Sequence, residues 1–313
     1  MEGTASVAAP RQDRPDSKPR RDGGGGLKRD RDGNAKKPQQ SREISRNAYT
    51  SMFERFRDEL DEHHDRRERV VKVSRDVTAL SKKIIFSLQR VRSIDPDLPK
   101  DVESDMKTRL QEISKHLSTI ATDVQGINRW RYARSMSCIE EFVEAVTFAH
   151  YLRQQSLMDV AEARTLLHEL CTAVLPADEP DQAPAEEDKP ESAGEAMDVD
   201  EAKPGIDLTD EDFVMGAFDL SGEMMRFATT TAALNGELAG GGGRTIVADM
   251  QELGSFFEML PQRGDRSWDG KMQVMRTSVK KVERLGYGLK VRGSERPKGW
   301  MPDTRGESPP ASP

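Results

Sequence analysis

Apolar residues recur at steps of three and four from about residue 43 to residue 92. The stripe consists of Phe53, Phe56, Leu60, Val70, Val73, Val77, Leu80, Ile84, Leu88 and Val91. This spacing is typical of one face of an α-helix, and the segment contains neither glycine nor proline. A charged stretch at 61–69 interrupts the stripe. We therefore expect one helix of roughly 50 residues, about 75 Å long, which forms the spine of a bundle or an oligomer surface.

The same periodicity continues beyond the prolines at 96 and 99, which end the first helix. Thr209 precedes two acidic residues and is a suitable N-terminal cap for the fifth helix. Alternating, strand-like patterns are absent from the sequence. The pattern thus predicts an all-α fold with seven helices and no sheet, at 43–92, 99–122, 127–156, 159–173, 209–235, 244–260 and 268–291.

Three segments have compositions that do not support a packed core. Residues 1–42 are rich in Gly, Pro, Arg and Asp, residues 176–205 in Pro, Ala, Glu and Asp, and residues 299–313 in Pro. We expect a disordered basic tail, a disordered acidic insertion within a helical domain at 43–298, and a disordered end. The basic clusters of the tail fit a nuclear import signal, a nucleic-acid-binding segment or a plain solvated tail.

The formal net charge of −7 conceals an uneven distribution. Residues 1–46 carry +5 and residues 177–204 carry −9, so the rest of the chain carries only −3. An anionic partner is therefore compatible with the folded part. The two cysteines lack metal-ligand spacing, which favours a reducing compartment. We expect no membrane span, because no apolar run approaches about 18 residues, and no signal peptide.

Two acidic motifs on predicted helices are the main candidate chemistry. Glu141 and Glu144 are spaced i,i+3, and Asp219 and Glu223 are spaced i,i+4, so each pair shares a helix face. Four carboxylates from two helices suit Mg²⁺ or Mn²⁺ and point to metal-assisted phosphodiester hydrolysis. The competing interpretation is a row of glutamates at the edge of a helix interface, paired with arginines. Glu140 is expected to be ordinary surface.

Details around the second motif leave both interpretations open. Arg226 lies three residues after Glu223 and is placed for a simple intrahelical ion pair. Gly222 costs about 1 kcal/mol inside a helix, so we expect a neighbouring helix, a metal or a phosphate to approach it closely. The sequence contains no phosphate-binding loop, dinucleotide fingerprint, nucleophile elbow or zinc spacing. Basic residues of the first helix are RNA-binding candidates by charge alone, a solvated face being the alternative: Lys72, Arg75, Lys82 and Lys83.

Four blocks of sequence resemble the translin superfamily, and among its members most closely the translin-associated factor X (TRAX) branch. They are Phe56-Arg-Asp-Glu-Leu-Asp-Glu-His-His-Asp65 with Val73-Ser-Arg-Asp-Val-Thr78, Glu141-Phe-Val-Glu-Ala145, Gly216-Ala-Phe-Asp-Leu-Ser-Gly-Glu-Met-Met-Arg226 and Leu289-Lys-Val-Arg-Gly-Ser-Glu295. The similarity covers roughly 45–298. The acids at Asp219 and Glu223 favour TRAX over translin.

The resemblance implies a seven-helix fold and assembly with translin subunits in a hetero-octameric shell. It implies a Mg²⁺-dependent endoribonuclease (Mn²⁺ as a substitute) that cuts single-stranded RNA, with DNA as a further ligand. Small-RNA passenger strands and precursor-tRNA leaders are the expected substrates, in the cytoplasm and nucleus. The family's catalytic acids carry over to Glu141, Glu144 and Asp219, with Glu223 as a further metal ligand. The alternative is a non-catalytic helical scaffold for a nucleic-acid-binding translin.

Overall fold

The computed structural model describes residues 47, 49–172, 204–241, 243–261 and 263–292. The chain divides into two compact units, Met1–Arg55 and Phe56–Pro313. Of the first unit, only Asn47 and residues 49–55 are described. Every candidate site residue belongs to the second unit. The tails expected at 1–42 and 299–313, and most of the expected insertion at 176–205, lie outside the described residues.

Helices make up almost all of the described structure, which confirms the all-α prediction. Two short antiparallel strands, β1 (Gly240–Gly241) and β2 (Arg244–Thr245), form its two-stranded sheet. The helices are α1 (Thr50–Leu88), α2 (Lys100–Ile120), α3 (Ile127–Arg131), α4 (Cys138–Gln154), α5 (Val160–Thr172), α6 (Asp210–Asn235), α7 (Ile246–Met259) and α8 (Arg266–Arg292).

The first helix is shorter than the sequence pattern predicts. It begins at Thr50, where the Asn47 carboxamide oxygen accepts a hydrogen bond from the Tyr49 amide at 2.9 Å. The first amides of a helix have no acceptor within the helix, so a side-chain oxygen that accepts from an amide just before it is typical of a helix start. The helix ends at Leu88, although Val91 beyond it is buried. The charged stretch at 61–69 does not interrupt the helix, since it contains no residue that breaks helical geometry.

The helix predicted at 127–156 is two helices, so the described residues form eight α-helices where the pattern predicts seven. Helix α3 ends at Arg131, a 3₁₀ turn follows at Ala133–Ser135, and α4 begins at Cys138. Arg129 of α3 is buried and donates to the Asp207 carbonyl oxygen at 3.0 Å and to the Asp212 carboxylate. These long-range bonds hold α3 against the start of α6, and the serines that follow favour turns over helix interior.

The glycine-rich segment after α6 is also more structured than predicted. Gly240 and Gly241 pair with Thr245 and Arg244 as a minimal hairpin, where the sequence pattern predicts a loop and no sheet. A Cβ atom at Gly240 would collide with the Arg244 carbonyl oxygen. Glycine is therefore required for the two strands to approach this closely.

Helix α6 begins with the cap that the sequence predicts. The Thr209 hydroxyl accepts a hydrogen bond from the Asp212 amide at 3.1 Å, and the Asp212 carboxylate accepts one from the Thr209 amide at 3.0 Å. Just before it, Gly205 packs against His168, and its carbonyl oxygen accepts a hydrogen bond from Gln125. The last residues of the expected insertion, 204 and 205, thus belong to the packed structure.

The core is centred on α4, which packs on α6, while α6 also packs on α8. Residues 142–149 of α4 are buried without interruption, so this helix has core on all sides. Phe218 of α6 stacks on Phe257 at 4.0 Å between ring centroids and meets Trp268 edge-on at 5.1 Å. Both cysteines, Cys138 and Cys171, are buried. None of the described helices is long and apolar enough to cross a membrane.

Candidate active site

A close approach between α4 and α6 positions the acidic residues. A Cβ atom at Gly216 would come within 2.6 Å of the Glu140 carbonyl oxygen and 2.7 Å of Val143. The absence of a side chain at 216 lets the two helices approach closely. Asp219 and Glu223 lie three and seven residues further along α6, on the same helix face as Gly216. They are therefore directed toward the part of α4 that carries the other two acids.

Glu144 is the most unusual acid of the group. It lies within the buried run 142–149 of α4 and is only 9% exposed. Burial raises its pKa to about 8, and the charges of Asp219, Glu141 and Glu223 add to the effect. Among the described residues, no donor forms a hydrogen bond with its carboxyl group. A buried carboxyl group without a partner is costly in its charged form, so this position favours either a proton or a cation.

Asp219 is held by a lysine from another helix. The Lys271 ammonium of α8 donates to Asp219 at 2.9 Å, to Glu140 at 2.8 Å and to the Met215 carbonyl oxygen at 3.0 Å. Burial alone would lower the pKa of Lys271, but the hydrogen bonds and charges of Glu140 and Asp219 outweigh it and raise the pKa. The lysine is therefore a fixed positive charge beside the acids.

Glu141 is contacted from α1, and Glu223 from Gln89, the residue that follows α1. Lys82 lies 3.3 Å from a carboxylate oxygen of Glu141, and the Gln89 side-chain amide donates to Glu223 at 2.8 Å. Glu223 also meets Arg226 at 3.4 Å, the intrahelical pair that the spacing predicts. Glu223 is buried, whereas Glu141 is partly exposed. The site therefore runs from a buried centre at Glu144 to an accessible edge at Glu141.

The structure brings the four predicted acids into one electrostatic group, since each of the other three raises the pKa of Glu144. It does not gather them into a coordination sphere: within the described ranges, no three Asp, Glu, His or Cys side chains are arranged to hold a metal ion. The positive charges that contact these acids include the ammonium groups of Lys82, at Glu141, and Lys271, at Asp219. Carboxylate oxygens are nevertheless the ligands that Mg²⁺ and Mn²⁺ prefer, so the donor chemistry fits.

Two expectations for neighbouring residues need correction. Glu140 is not ordinary surface, because it shares the Lys271 ammonium with Asp219. A helix wheel places Glu140 away from Glu144 but carries no information about a lysine 131 positions later. Gly222 has open space where its Cβ would stand, so no helix of the described chain packs there. Within the described part of the chain, the space at Gly222 is therefore open.

Lysines and a glutamine were the residues that pattern reasoning missed. Lys271 has no sequence signal, since its partners lie 52 and 131 positions away. Lys82 was a candidate for RNA binding by charge alone, and it contacts Glu141. Gln89 has no feature that distinguishes it from any polar helix residue. Only the packing of α1 and α8 around the acids identifies all three.

A separate cavity of about 270 Å³ lies between α4, α6 and α7. The polar side chains of its wall bond to one another. The Tyr151 hydroxyl donates to Asp249 at 2.7 Å, and Asp249 pairs with Arg244. Burial and this hydrogen bond raise the pKa of Tyr151. Phe256 lines the opening of the cavity and is 53% exposed. None of the four predicted acids lines it.

Comparisons with known proteins agree with the motifs. The translin family profile matches residues 65–293, a range that contains both acidic motifs. Translin-associated protein X of Mus musculus is 30% identical over 252 residues, which cover 80% of this chain and 81% of the relative. The Translin-associated protein X homolog of Schizosaccharomyces pombe is 25% identical over 248 residues, covering 78% and 89%.

Two solved structures resemble the chain more distantly. Crystal structures of apo-NeC3PO and AfC3PO have TM-scores of 0.46 and 0.45 at 12% and 17% identity. They cover 76% and 77% of this chain and 96% and 98% of their own. These scores are too low to support a statement on fold or function. The profile and the sequence relatives, which extend over most of the chain, show that it belongs to the translin family, in the branch of translin-associated protein X.

Proposed function

We propose that this chain is the catalytic subunit of a Mg²⁺-dependent endoribonuclease that hydrolyses single-stranded RNA. Mn²⁺ is the expected substitute for Mg²⁺. The observation that carries the proposal is Glu144, a buried carboxyl group surrounded by three further acids and without a hydrogen-bond donor among the described residues. Such a group is stable at neutral pH if it is protonated or if a cation lies beside it. A divalent cation beside Glu144 would balance its charge and reduce the repulsion from the three neighbouring acids.

The residues have distinct roles in this proposal. Glu141, Glu144 and Asp219 hold the ion, with Glu223 as a further ligand. When bound, Mg²⁺ neutralises charge on the scissile phosphate and lowers the pKa of a bound water molecule. Lys271 and Lys82 form ion pairs with Asp219 and Glu141 and help to position them. Glu141 lies at the accessible edge, where an RNA phosphate can reach the site.

We further propose that the chain acts together with translin subunits and not alone. The relatives in Mus musculus and Schizosaccharomyces pombe are named for an association with translin, and this chain matches about four fifths or more of their length. Small-RNA passenger strands and precursor-tRNA leaders are the proposed substrates, with single-stranded DNA as a further ligand. The proposed compartments are the cytoplasm and the nucleus.

Cleavage of labelled single-stranded RNA by the purified complex with translin, with and without Mg²⁺, tests the enzyme proposal. Asp219→Asn should lower the rate roughly 100-fold or more, since it removes a ligand charge without removing volume. Glu140→Gln is the matched control, because Glu140 shares the Lys271 ammonium but is not among the proposed ligands. It should cleave at close to the wild-type rate.

A non-catalytic scaffold is the second candidate, and the Lys271 contacts favour it specifically. If Asp219 serves only to bind Lys271, then Asp219→Asn and Glu140→Gln should have similar effects on thermal stability and neither should matter for chemistry. Wild-type complex that shows no Mg²⁺-dependent cleavage would support the scaffold role. An Asp219→Asn complex that cleaves normally would remove Asp219 from the catalytic account.

A further inference from the structure

One face of α1 borders the acidic site and carries an exposed aromatic ring. Lys82 and Phe86 belong to α1, and Gln89 follows its last residue, with its amide still bonded to the Ile85 carbonyl oxygen at 2.9 Å. The spacing i, i+4 and i+7 places the three within about 60° of one another around the helix axis. Lys82 contacts Glu141 and Gln89 contacts Glu223, so two of the three touch acids of the site. Phe86 stands between them along the helix axis. Its Cβ lies roughly 6 Å from that of Lys82, as for any i,i+4 pair.

The Phe86 side chain is not part of the core. Phe86 is 71% exposed, whereas Phe142, Phe148 and Phe218 are almost completely buried. A single exposed phenylalanine is ordinary on a protein surface, and exposure alone would carry no argument. What gives this ring a use is its place between Lys82, which contacts Glu141, and Gln89, which contacts Glu223. We propose that Phe86 is a stacking platform for a base of single-stranded RNA next to the phosphate at the acidic site.

Two neighbouring features suit a nucleotide. Lys82 and Lys83 are exposed and offer ammonium groups to the phosphates on either side of a stacked base. Gly222, adjacent to Glu223, has no atom within 4 Å of where a Cβ would stand. At Gly222 the backbone of α6 therefore has no side chain of the described residues over it, which leaves room for a ribose or phosphate. Aromatic stacking together with lysines is the usual way in which proteins bind single strands without reading sequence.

The inference rests on the proposed function and names a residue that would contribute to its preference for single strands. A base in a duplex is already stacked on both neighbours, so its face is not available to Phe86. A base in a single strand has a free face and gains a partner. The platform therefore selects single-stranded RNA over double-stranded RNA at the site, independently of the sequence of bases.

Binding measured without divalent cations tests this inference separately from catalysis. The probe is a short fluorescent oligoadenylate with one 2-aminopurine, added in EDTA to the complex of the full chain with translin. Phe86→Ala should weaken binding roughly 5- to 100-fold by fluorescence anisotropy and reduce the quenching of 2-aminopurine. Phe86→Trp should restore both. Phe256→Ala, which removes an exposed ring from α7 near the separate cavity, should change neither.

Unchanged binding by Phe86→Ala, or an equal loss for a duplex of the same length, would overturn the inference. So would dissociation of the Phe86→Ala complex in light scattering, since the ring would then be an assembly contact. If binding depends on Phe86 but wild-type complex does not cleave RNA with Mg²⁺, the stacking inference stands and the enzyme proposal fails. If cleavage depends on Asp219 while Phe86→Ala binds normally, the enzyme proposal stands and the stacking inference fails.

Discussion

Gly216 of α6 lies so close to Glu140 of α4 that a Cβ atom at position 216 would come within 2.6 Å of the Glu140 carbonyl oxygen. This contact is between backbones and cannot be relieved by moving a flexible side chain. It fixes the separation of the two helices that carry the candidate acids. The geometry of the site therefore depends on a residue that has no functional group.

Replacing Gly216 by alanine should destabilise the protein, because the added methyl group forces α4 and α6 apart. Overpacking of this kind costs about 1–3 kcal/mol. Gly222→Ala is the matched control on the same helix, since its Cβ would meet nothing within 4 Å and alanine favours helix by about 1 kcal/mol. Thermal unfolding of the complexes checks both. Equal midpoints for the two variants would contradict the close packing at 216.

Glu144 should make stability depend on pH in the metal-free protein. Its folded-state pKa is about 8 and its ordinary value is 4.5, so between these values the folded state holds a proton that the unfolded state has lost. The contribution of this proton to the free energy of unfolding is therefore fully present below pH about 4.5 and is lost as pH rises through about 8.

Glu144→Gln removes this titration. The difference in thermal midpoint between the variant and wild type should therefore shift in favour of the variant as pH rises from 5 to 9. Glu112→Gln, a change of an exposed acid on α2, should follow the wild-type curve throughout. The measurement is thermal unfolding in EDTA across this pH range. A constant difference between Glu144→Gln and wild type at all pH values would contradict a raised pKa at Glu144.

Lys271→Met should make stability more dependent on divalent cations. The variant leaves Glu140 and Asp219 without their shared ammonium, so its thermal midpoint in EDTA should fall. Added Mg²⁺ or Mn²⁺ should raise the midpoint more than in wild type, because the net negative charge of the site is greater. Lys82→Met, at the exposed edge, should show a smaller change. A thermal midpoint of Lys271→Met that neither Mg²⁺ nor Mn²⁺ changes would argue against a cation site at these acids.

Deleting residues 177–204 should leave folding and RNA cleavage intact. The segment contains little apolar material and carries −9, so it has little to pack with and repels RNA. Structure resumes with contacts that do not depend on it, such as the bond from Gln125 to the Gly205 carbonyl oxygen. Soluble yield and cleavage rate of the deletion variant check this. Loss of either would show that the segment has a structural or catalytic role.

The chain expressed without translin should aggregate, and co-expression should rescue it. Large apolar side chains of several helices are exposed on the described surface, and such surfaces promote association. They include Leu60 (67%), Val274 (60%) and Tyr287 (67%). Light scattering on the isolated chain provides the measurement. A monodisperse, thermally stable monomer would contradict dependence on a partner.

Helix positions and the acidic residues were accessible to sequence reasoning because both follow from local spacing. The i,i+3 and i,i+4 intervals place Glu141 with Glu144 and Asp219 with Glu223 whatever the rest of the chain does. The cap at Thr209 is local in the same sense. The break between α3 and α4 was not predictable, since it depends on Arg129 reaching Asp207, 78 positions later.

The partners of the acids were inaccessible for the same physical reason. Lys271, Lys82 and Gln89 are ordinary helix residues until α8 and α1 pack beside α4 and α6. The raised pKa of Glu144 was likewise unpredictable, because it arises from burial in the tertiary core. A helix wheel shows which residues share a face but not what faces them.

The two buried cysteines provide an internal measure of how the molecule opens. Cys138 begins α4, three residues before Glu141, and burial raises its pKa to about 11, so its thiol should be inert in the closed state. Cys171 lies near the end of α5 and is equally inaccessible. Each thiol can react with an alkylating reagent only when its own helix detaches or the whole fold unfolds. Comparing the two labelling rates would therefore reveal, without any introduced probe, whether the acid-bearing helix separates by itself or moves only with the rest of the protein.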